Sequence, residues 1–236
     1  MKPGTVPRPP AWLDCAAMPD HPIQSRPPAF DAPFQERLAD LFRWRRDVRR
    51  FRDAPLDESL VDELLALACL APSVGNSQPW RFVKVKSTAA RAAVRASFEH
   101  CNRRALDDYE GERARLYATL KLSGFDRAPV QIAVFADANP AEGQGLGRAT
   151  MPETIGYSVA IAVHTFWIAA RARGIGVGWV SILDPDEVSR ALETPPAWKL
   201  VAYLCVGWPE EDHVDQELER YGWQIRLDPG RFISEK

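Results

Sequence analysis

Between Arg43 and Arg52 the chain reads Arg-Trp-Arg-Arg-Asp-Val-Arg-Arg-Phe-Arg, six arginines around a single acid, Asp47. A guanidinium is a planar fork that stays charged and pairs with phosphate oxygens two at a time, so the cluster has the chemistry to grip a phosphorylated ligand. A carboxylate among them can accept a proton or orient a hydroxyl. The arginines favour its charged form and lower its basicity, and burial acts the other way. Two plainer readings compete. The run can be a solvated helix face in which Asp47 neutralises Arg45 or Arg49, or a nucleic-acid surface, which would carry a basic excess across the domain. The formal net charge of −2 at pH 7 shows no such excess.

Two further stretches have the composition of ligand-facing backbone. Ala71-Pro-Ser-Val-Gly-Asn-Ser-Gln-Pro-Trp80 combines a proline stop, an unrestricted glycine and short polar side chains in one irregular loop. Gly176-Val-Gly-Trp-Val-Ser-Ile182 reads as a strand whose glycines allow another group to come close, with Ser181 near its far end. A third glycine-bearing stretch, Asn139 to Arg148, holds Gly143, Gly145 and Gly147 and reads as flexible. Its spacing fits neither a dinucleotide fingerprint nor a P-loop. Cys15, Cys69, Cys101 and Cys205 show no CxxC spacing, which fits a reducing cytoplasm, and His100-Cys101 has no second pair at ligand spacing, so no metal site is expected.

The elements that must position these residues follow from periodicity. At 236 residues and 46% hydrophobic content, one large domain is expected, over 34–236, after a proline-rich arm at 1–33 without the apolar core of a secretory signal. Phe34 to Trp44 carries Leu38, Leu41 and Phe42 at helical spacing and leads into the arginines. Asp57 caps a second helix with the stripe Leu60, Val61, Leu64, Leu65 and Ala68. Arg81 to Lys86, Val130 to Ala136, Gly176 to Ile182 and Leu200 to Val206 read as strands. Thr88 to Leu122 reads as one long or broken helix. Thr150-Met-Pro-Glu153 has the form of a capping box opening an uncharged helix, Thr154 to Ala170. That run is marginal for a membrane span and contains Tyr157, Ser158, His164 and Thr165, so a helix buried on nearly all sides, at a domain centre or between subunits, is expected, with His164 inside. Asp184 caps a short helix through Leu192. In the tail, Tyr221, Trp223, Arg226 and Phe232 are spaced as if the segment lies across something. The pattern is that of an α+β protein, a sheet sandwiched by helices.

Arg45-Arg46-Asp47-Val48-Arg49, the Ala71 to Trp80 loop and Gly176-Val-Gly-Trp-Val-Ser181, in that order, resemble the flavin-binding nitroreductase fold family from about Phe34 to the tail. Ordinary members generally carry serine where Asp47 stands, and the exchange is similar to the subgroup that consumes its flavin. The resemblance implies a nitroreductase-like fold with a central mixed or antiparallel sheet, and an intertwined cytoplasmic homodimer with FMN at the subunit interface. It implies FMN contacts at Arg45, Arg46, Asp47, Val48 (through its backbone), Arg49, Ser73, Gly75, Asn76, Leu122, Ser181 and Arg226. The arginine segment would come from one subunit and the Ala71 to Trp80 loop from the other, with Tyr117 to Leu122 as a lid. The activity implied is oxygen-dependent fragmentation of reduced FMN to erythrose 4-phosphate and 5,6-dimethylbenzimidazole, the lower ligand of vitamin B12. Asp47 and Ser181 would be the catalytic side chains, a separate flavin reductase would supply reduced FMN, and neither nucleic acid nor membrane would be a partner. The alternative is an NAD(P)H-dependent nitroreductase or flavin reductase that recycles its FMN.

Overall fold

Four strands carry the site: β1 (Trp80–Lys84), β2 (Val130–Asp137), β3 (Gly176–Val180) and β4 (Trp198–Gly207). They lie in the order β1-β2-β4-β3 with every neighbouring pair antiparallel. The computed structural model describes residues 28–107, 109–120 and 124–236. It divides into two compact units, 1–40 and 41–236. Most of the arm expected at 1–33, and the contact expected at Leu122, lie outside the described residues.

Because successive strand residues face opposite sides, the two central strands supply two cores. Ile132 and Val134 of β2, with Ala202, Leu204 and Val206 of β4, pack against α2 (Glu58–Ala68) and α5 (Thr154–Ala172). Ala133, Phe135, Tyr203 and Cys205 face the other way, toward α3 (Thr88–Asp107) and α6 (Pro185–Ala191). The sheet is thus covered on both sides by helices, as the α+β reading expects. One polar residue, Gln131, lies in this buried run. Its amide donates to the Phe125 carbonyl (3.0 Å) and accepts from the Tyr203 hydroxyl (2.7 Å), so its burial leaves nothing unpaired.

Local signals hold at several ends. Asp57 Oδ1 accepts from the Ser59 N–H at 2.9 Å, and Asp184 Oδ1 from the N–H groups of Asp186 and Glu187, each at 2.9 Å. The charged helical stretch is broken, as α3 followed by α4 (Gly111–Thr119). In the unit at 1–40, Asp31 accepts from the Phe34 N–H, at the start of α1 (Ala32–Trp44).

Two expectations are corrected around α5. The capping box does not form: Glu153 is the cap without a side-chain bond, and the Thr150 hydroxyl donates to the Gly147 carbonyl within the preceding turn. Nor is α5 buried on nearly all sides at the centre of this chain, the first of the two places expected for it. Val159, Ala162, Val163 and Phe166 are fully buried, whereas Tyr157 and Ile161, with His164, form an exposed stripe at helical spacing. By length and composition α5 could cross a membrane, and it is the core helix of this chain. His164 is accordingly not interior: it stacks on Phe42, and burial together with Arg45 holds its imidazole below the usual pKa.

Candidate active site

The glycines of β3 are what admit the arginine segment. Asp47 pairs with Val177 in a parallel bridge, and the Val48 N–H donates to the Val177 carbonyl at 3.0 Å. A Cβ on Gly178 would lie 2.2 Å from the Val48 carbonyl oxygen, and one on Gly176 would lie 2.9 Å from the Val48 side chain. The close approach expected from the sequence is therefore the crossing of residues 47–48, which adds one parallel rung to an otherwise antiparallel sheet. Phe51 pins the other end. It is wholly buried, its ring meets Gly124 and Gly207 where a side chain would clash, and the Arg52 N–H donates to the Trp208 carbonyl at 2.8 Å.

Held this way, Asp47 reaches two donors. Its Oδ1 accepts from the Trp179 N–H of β3 at 2.9 Å, and its Oδ2 from Arg49 Nε at 3.1 Å. Burial raises its carboxyl above the usual carboxylate range, the Trp179 N–H and Arg49 oppose the shift, and Glu217 adds to it. Yet 36% of the side chain remains accessible. The carboxyl is thus crowded by protein on one side and open on the other.

The arginines have separate occupations. Arg46 donates through Nε and Nη2 to the Val214 carbonyl and through Nη1 to the Arg45 carbonyl, so its fork is spent on backbone. Arg49 sits between Asp47 and Glu217, and its Nη1 is buried without a hydrogen bond. Arg45 lies with its guanidinium 4.7 Å from the centre of the Trp167 ring, and among the described residues that guanidinium donates no hydrogen bond. Burial and Arg226 lower the pKa of Arg45 and Asp47 raises it; a guanidinium stays protonated throughout. Arg226 belongs to the same field, and with the Gln216 amide turned so that its oxygen faces the arginine, Nε and Nη2 both donate to it, at 2.7 and 2.5 Å. The Trp167 indole N–H donates to the Arg46 carbonyl (3.2 Å), so one aromatic ring supports both the cluster's backbone and the Arg45 guanidinium.

Ser73, Gly75 and Asn76 lie elsewhere. Their turn, Val74–Asn76, is left-handed at Gly75 (φ +56°) and Asn76 (φ +55°) and closes with the Gln78 N–H donating to Ser73 Oγ at 3.1 Å. The glycine stretch read as flexible is a second turn, Glu142–Gly145, locked onto the first. A Cβ on Gly143 would lie 2.8 Å from the Gly75 carbonyl oxygen, and the two turns can meet only because neither has a side chain there. Together they line an open basin of about 920 Å³ that shares no lining residue with the small cavity at Asp47. Ser181 is exposed just past the end of β3.

The structure therefore brings Arg45, Arg46, Asp47, Val48, Arg49 and Arg226 together and leaves Ser73, Gly75 and Asn76 at a second locus. The lid segment shows Tyr117 buried, its ring tilted against those of Tyr109 and Trp223, with its hydroxyl donating to Asn102 (2.8 Å). Trp223 is what the tail lays across α4. Sequence reasoning missed Trp167, Trp179 and Glu217. Trp167 was concealed in a helix read only as apolar, Trp179 contributes a backbone group, and Glu217 stands in a tail read for its aromatic and basic residues.

This fold and site define a nitroreductase-like α+β protein with an arginine–carboxylate site on the edge of its sheet. The chain belongs to the nitroreductase family, whose pattern matches residues 42–208. It is 57% identical over 199 residues to the 5,6-dimethylbenzimidazole synthase of Rhodospirillum rubrum, covering 84% of this chain and 94% of that one. It is 30% identical over 184 residues to an iodotyrosine deiodinase of Thermotoga neapolitana, covering 74% and 89%. Among solved structures it resembles an oxidized iodotyrosine deiodinase bound to FMN and 3-iodo-L-tyrosine, with a TM-score of 0.63 and 25% identity over 75% of this chain and 91% of that one.

Proposed function

We infer that this chain has 5,6-dimethylbenzimidazole synthase activity, the oxygen-dependent fragmentation of reduced FMN. The observation that carries the reading is Asp47: a carboxylate fixed by the Trp179 N–H and Arg49 inside an arginine segment, with part of its surface open. The similarity to the Rhodospirillum rubrum synthase supports the reaction.

The residues present fit FMN. Arg45, whose guanidinium donates no hydrogen bond among the described residues, and Arg226 beside it would be the forks for the phosphate. The Val48 backbone and Asp47 would hold the ribityl chain, and the Ser73–Asn76 turn would offer backbone groups to the ring system. Because the arginine cluster and that turn line separate concavities, one complete site takes the cluster from one subunit and the turn from a second. The exposed stripe of α5 is suited to the contact between them. Reduced FMN, delivered by a separate reductase, is then the substrate, and dioxygen is the co-substrate.

Bound reduced flavin supplies the electrons for reaction with oxygen. The protein holds one pose, orients a ribityl hydroxyl or accepts its proton at Asp47, offers a hydrogen bond from Ser181, and excludes bulk water beneath the Tyr117 segment.

Purified protein mixed with free reduced FMN in air should yield 5,6-dimethylbenzimidazole. Asp47→Asn should bind FMN yet form none, because shape survives and charge does not. Flavin recovered whole with NAD(P)H consumed would refute the reading in favour of a recycling reductase, to which relatives such as the Bacillus subtilis putative NAD(P)H nitroreductase point.

A further inference from the structure

A buried acid that the proposed reaction does not use lies next to Asp47. Glu217 opens the short helix α7 (Glu217–Arg220), and only 9% of its side chain is exposed. Its Oε1 is 3.3 Å from Arg50 Nη1 and 3.9 Å from Arg49 Nη1. Arg49 in turn gives Nε to Asp47, and Arg50 gives Nε to Glu211 at 2.9 Å. The side chains form a series of alternating sign, Asp47–Arg49–Glu217–Arg50–Glu211. Asp47, Arg49, Arg50 and Glu217 also border one cavity of about 30 Å³, room for a water or two and not for a phosphate. Arg49 is braced from both sides, which sets it apart from Arg45 as a ligand-facing fork.

We propose that Glu217 is a positioning residue for Asp47, acting through Arg49: its carboxylate keeps the Arg49 guanidinium turned so that Nε, and not the terminal fork, faces Asp47. The proposal rests on the reading of Asp47 as the reactive carboxylate. The charged and titratable groups facing Asp47 are Arg45 and Arg49 on its own segment, Glu217 on α7 and Cys205 on β4. Glu217 is the one carboxylate among them. Removing its charge leaves Arg49 and Arg50 less compensated and free to turn, which lowers the proton affinity of Asp47 and loosens its geometry.

The test follows the Asp47 carboxyl by carbon-13 NMR in ligand-free protein labelled at aspartate, the resonance being assigned by its loss in Asp47→Asn. Glu217→Gln, which keeps shape and removes charge, should move the titration midpoint to lower pH. Glu217→Asp, which keeps the charge on a shorter stem, should give a midpoint between the two, and Glu211→Gln, at the exposed end of the series, should leave it in place. The acid limb of product formation should move in the same order. A wild-type midpoint in Glu217→Gln, or an equal shift in Glu211→Gln, would overturn the proposal. Shifted midpoints in a protein that forms no 5,6-dimethylbenzimidazole would uphold the positioning and sink the activity reading instead.

Discussion

Alanine at Gly178 tests whether the crossing of residues 47–48 over β3 places the reactive carboxylate. The backbone of Gly178 is not left-handed, so only space is at issue, and the added Cβ would lie 2.2 Å from the Val48 carbonyl oxygen. A backbone oxygen cannot rotate away, so the crossing segment must retreat by about 1 Å to reach ordinary contact. Two hydrogen bonds depend on its present position, Val48 N–H to Val177 O and Trp179 N–H to Asp47 Oδ1. A neutral bond contributes about 1 kcal/mol and one to a charged group about 2 kcal/mol, so Gly178→Ala should lose about 3 kcal/mol. That leaves a folded protein if the starting stability is about 5–15 kcal/mol. A catalytic group displaced by about 1 Å costs about 10²-fold in rate. Urea titration measures the first quantity and 5,6-dimethylbenzimidazole formation the second. A variant with the wild-type urea midpoint and wild-type product yield would refute the argument that this contact sets Asp47.

Ser181→Ala removes an exposed hydroxyl at the end of β3, so stability should change by no more than about 0.5 kcal/mol, while turnover falls; unfolding of the variant would show that the residue packs. Burial pushes the Cys205 thiol up to about 12 from its ordinary 9.0, so Cys205 should resist thiol reagents in folded protein at pH 8 and react on unfolding. Because its folded pKa is the higher one, the unfolded chain releases this proton first, and this residue's contribution to stability is lost as pH climbs from about 9 toward about 12. Glu211 is the opposite case: pairing with His213, then Arg50, holds its carboxyl down to about 2 from 4.5. The pair brings His213 Nε2 to 2.9 Å from Glu211 Oε2. Its stabilisation is present above pH 4.5 and lost as pH falls toward 2. The advantage of wild type over Glu211→Gln in urea titrations should shrink across that window, and should be small throughout for so exposed a pair.

The parts legible in the sequence are those fixed by neighbours along the chain. The apolar runs of β2 and β4 and the caps at Asp57 and Asp184 need only local composition and spacing, and each stands where its residues place it. The glycines of β3 announced a close approach and left its partner unnamed, because Val48 arrives from well over a hundred residues away. The capping box at Thr150 failed for a similar reason: the glycine turn before it captures the Thr150 hydroxyl, and that turn is held by the distant Ser73–Gln78 loop. Composition marked the stretch as flexible, yet the same glycines let two backbones interlock. The arginine cluster was legible as a cluster only. Which fork is spent on a carbonyl, which is braced and which is open depends on Val214, Glu217 and Trp167, none of them near it in sequence.

That division of labour bears on how a carboxylate among arginines can still accept a proton. Were every guanidinium turned toward Asp47, its charged form would be favoured so strongly that it would be a poor base. Instead Arg46 is turned to a carbonyl, Arg49 is shared with Glu217, and Arg45 lies over Trp167. One backbone N–H and one guanidinium N–H occupy two of the roughly four lone-pair positions of the carboxylate. About a third of the side chain stays accessible. Burial then prevails, and the carboxyl sits above its ordinary range, closer to the pH at which proton acceptance is most effective. On the function proposed, the arginines outside this balance keep their charge for a phosphate, so one short segment can hold an anion and present a base without either task cancelling the other.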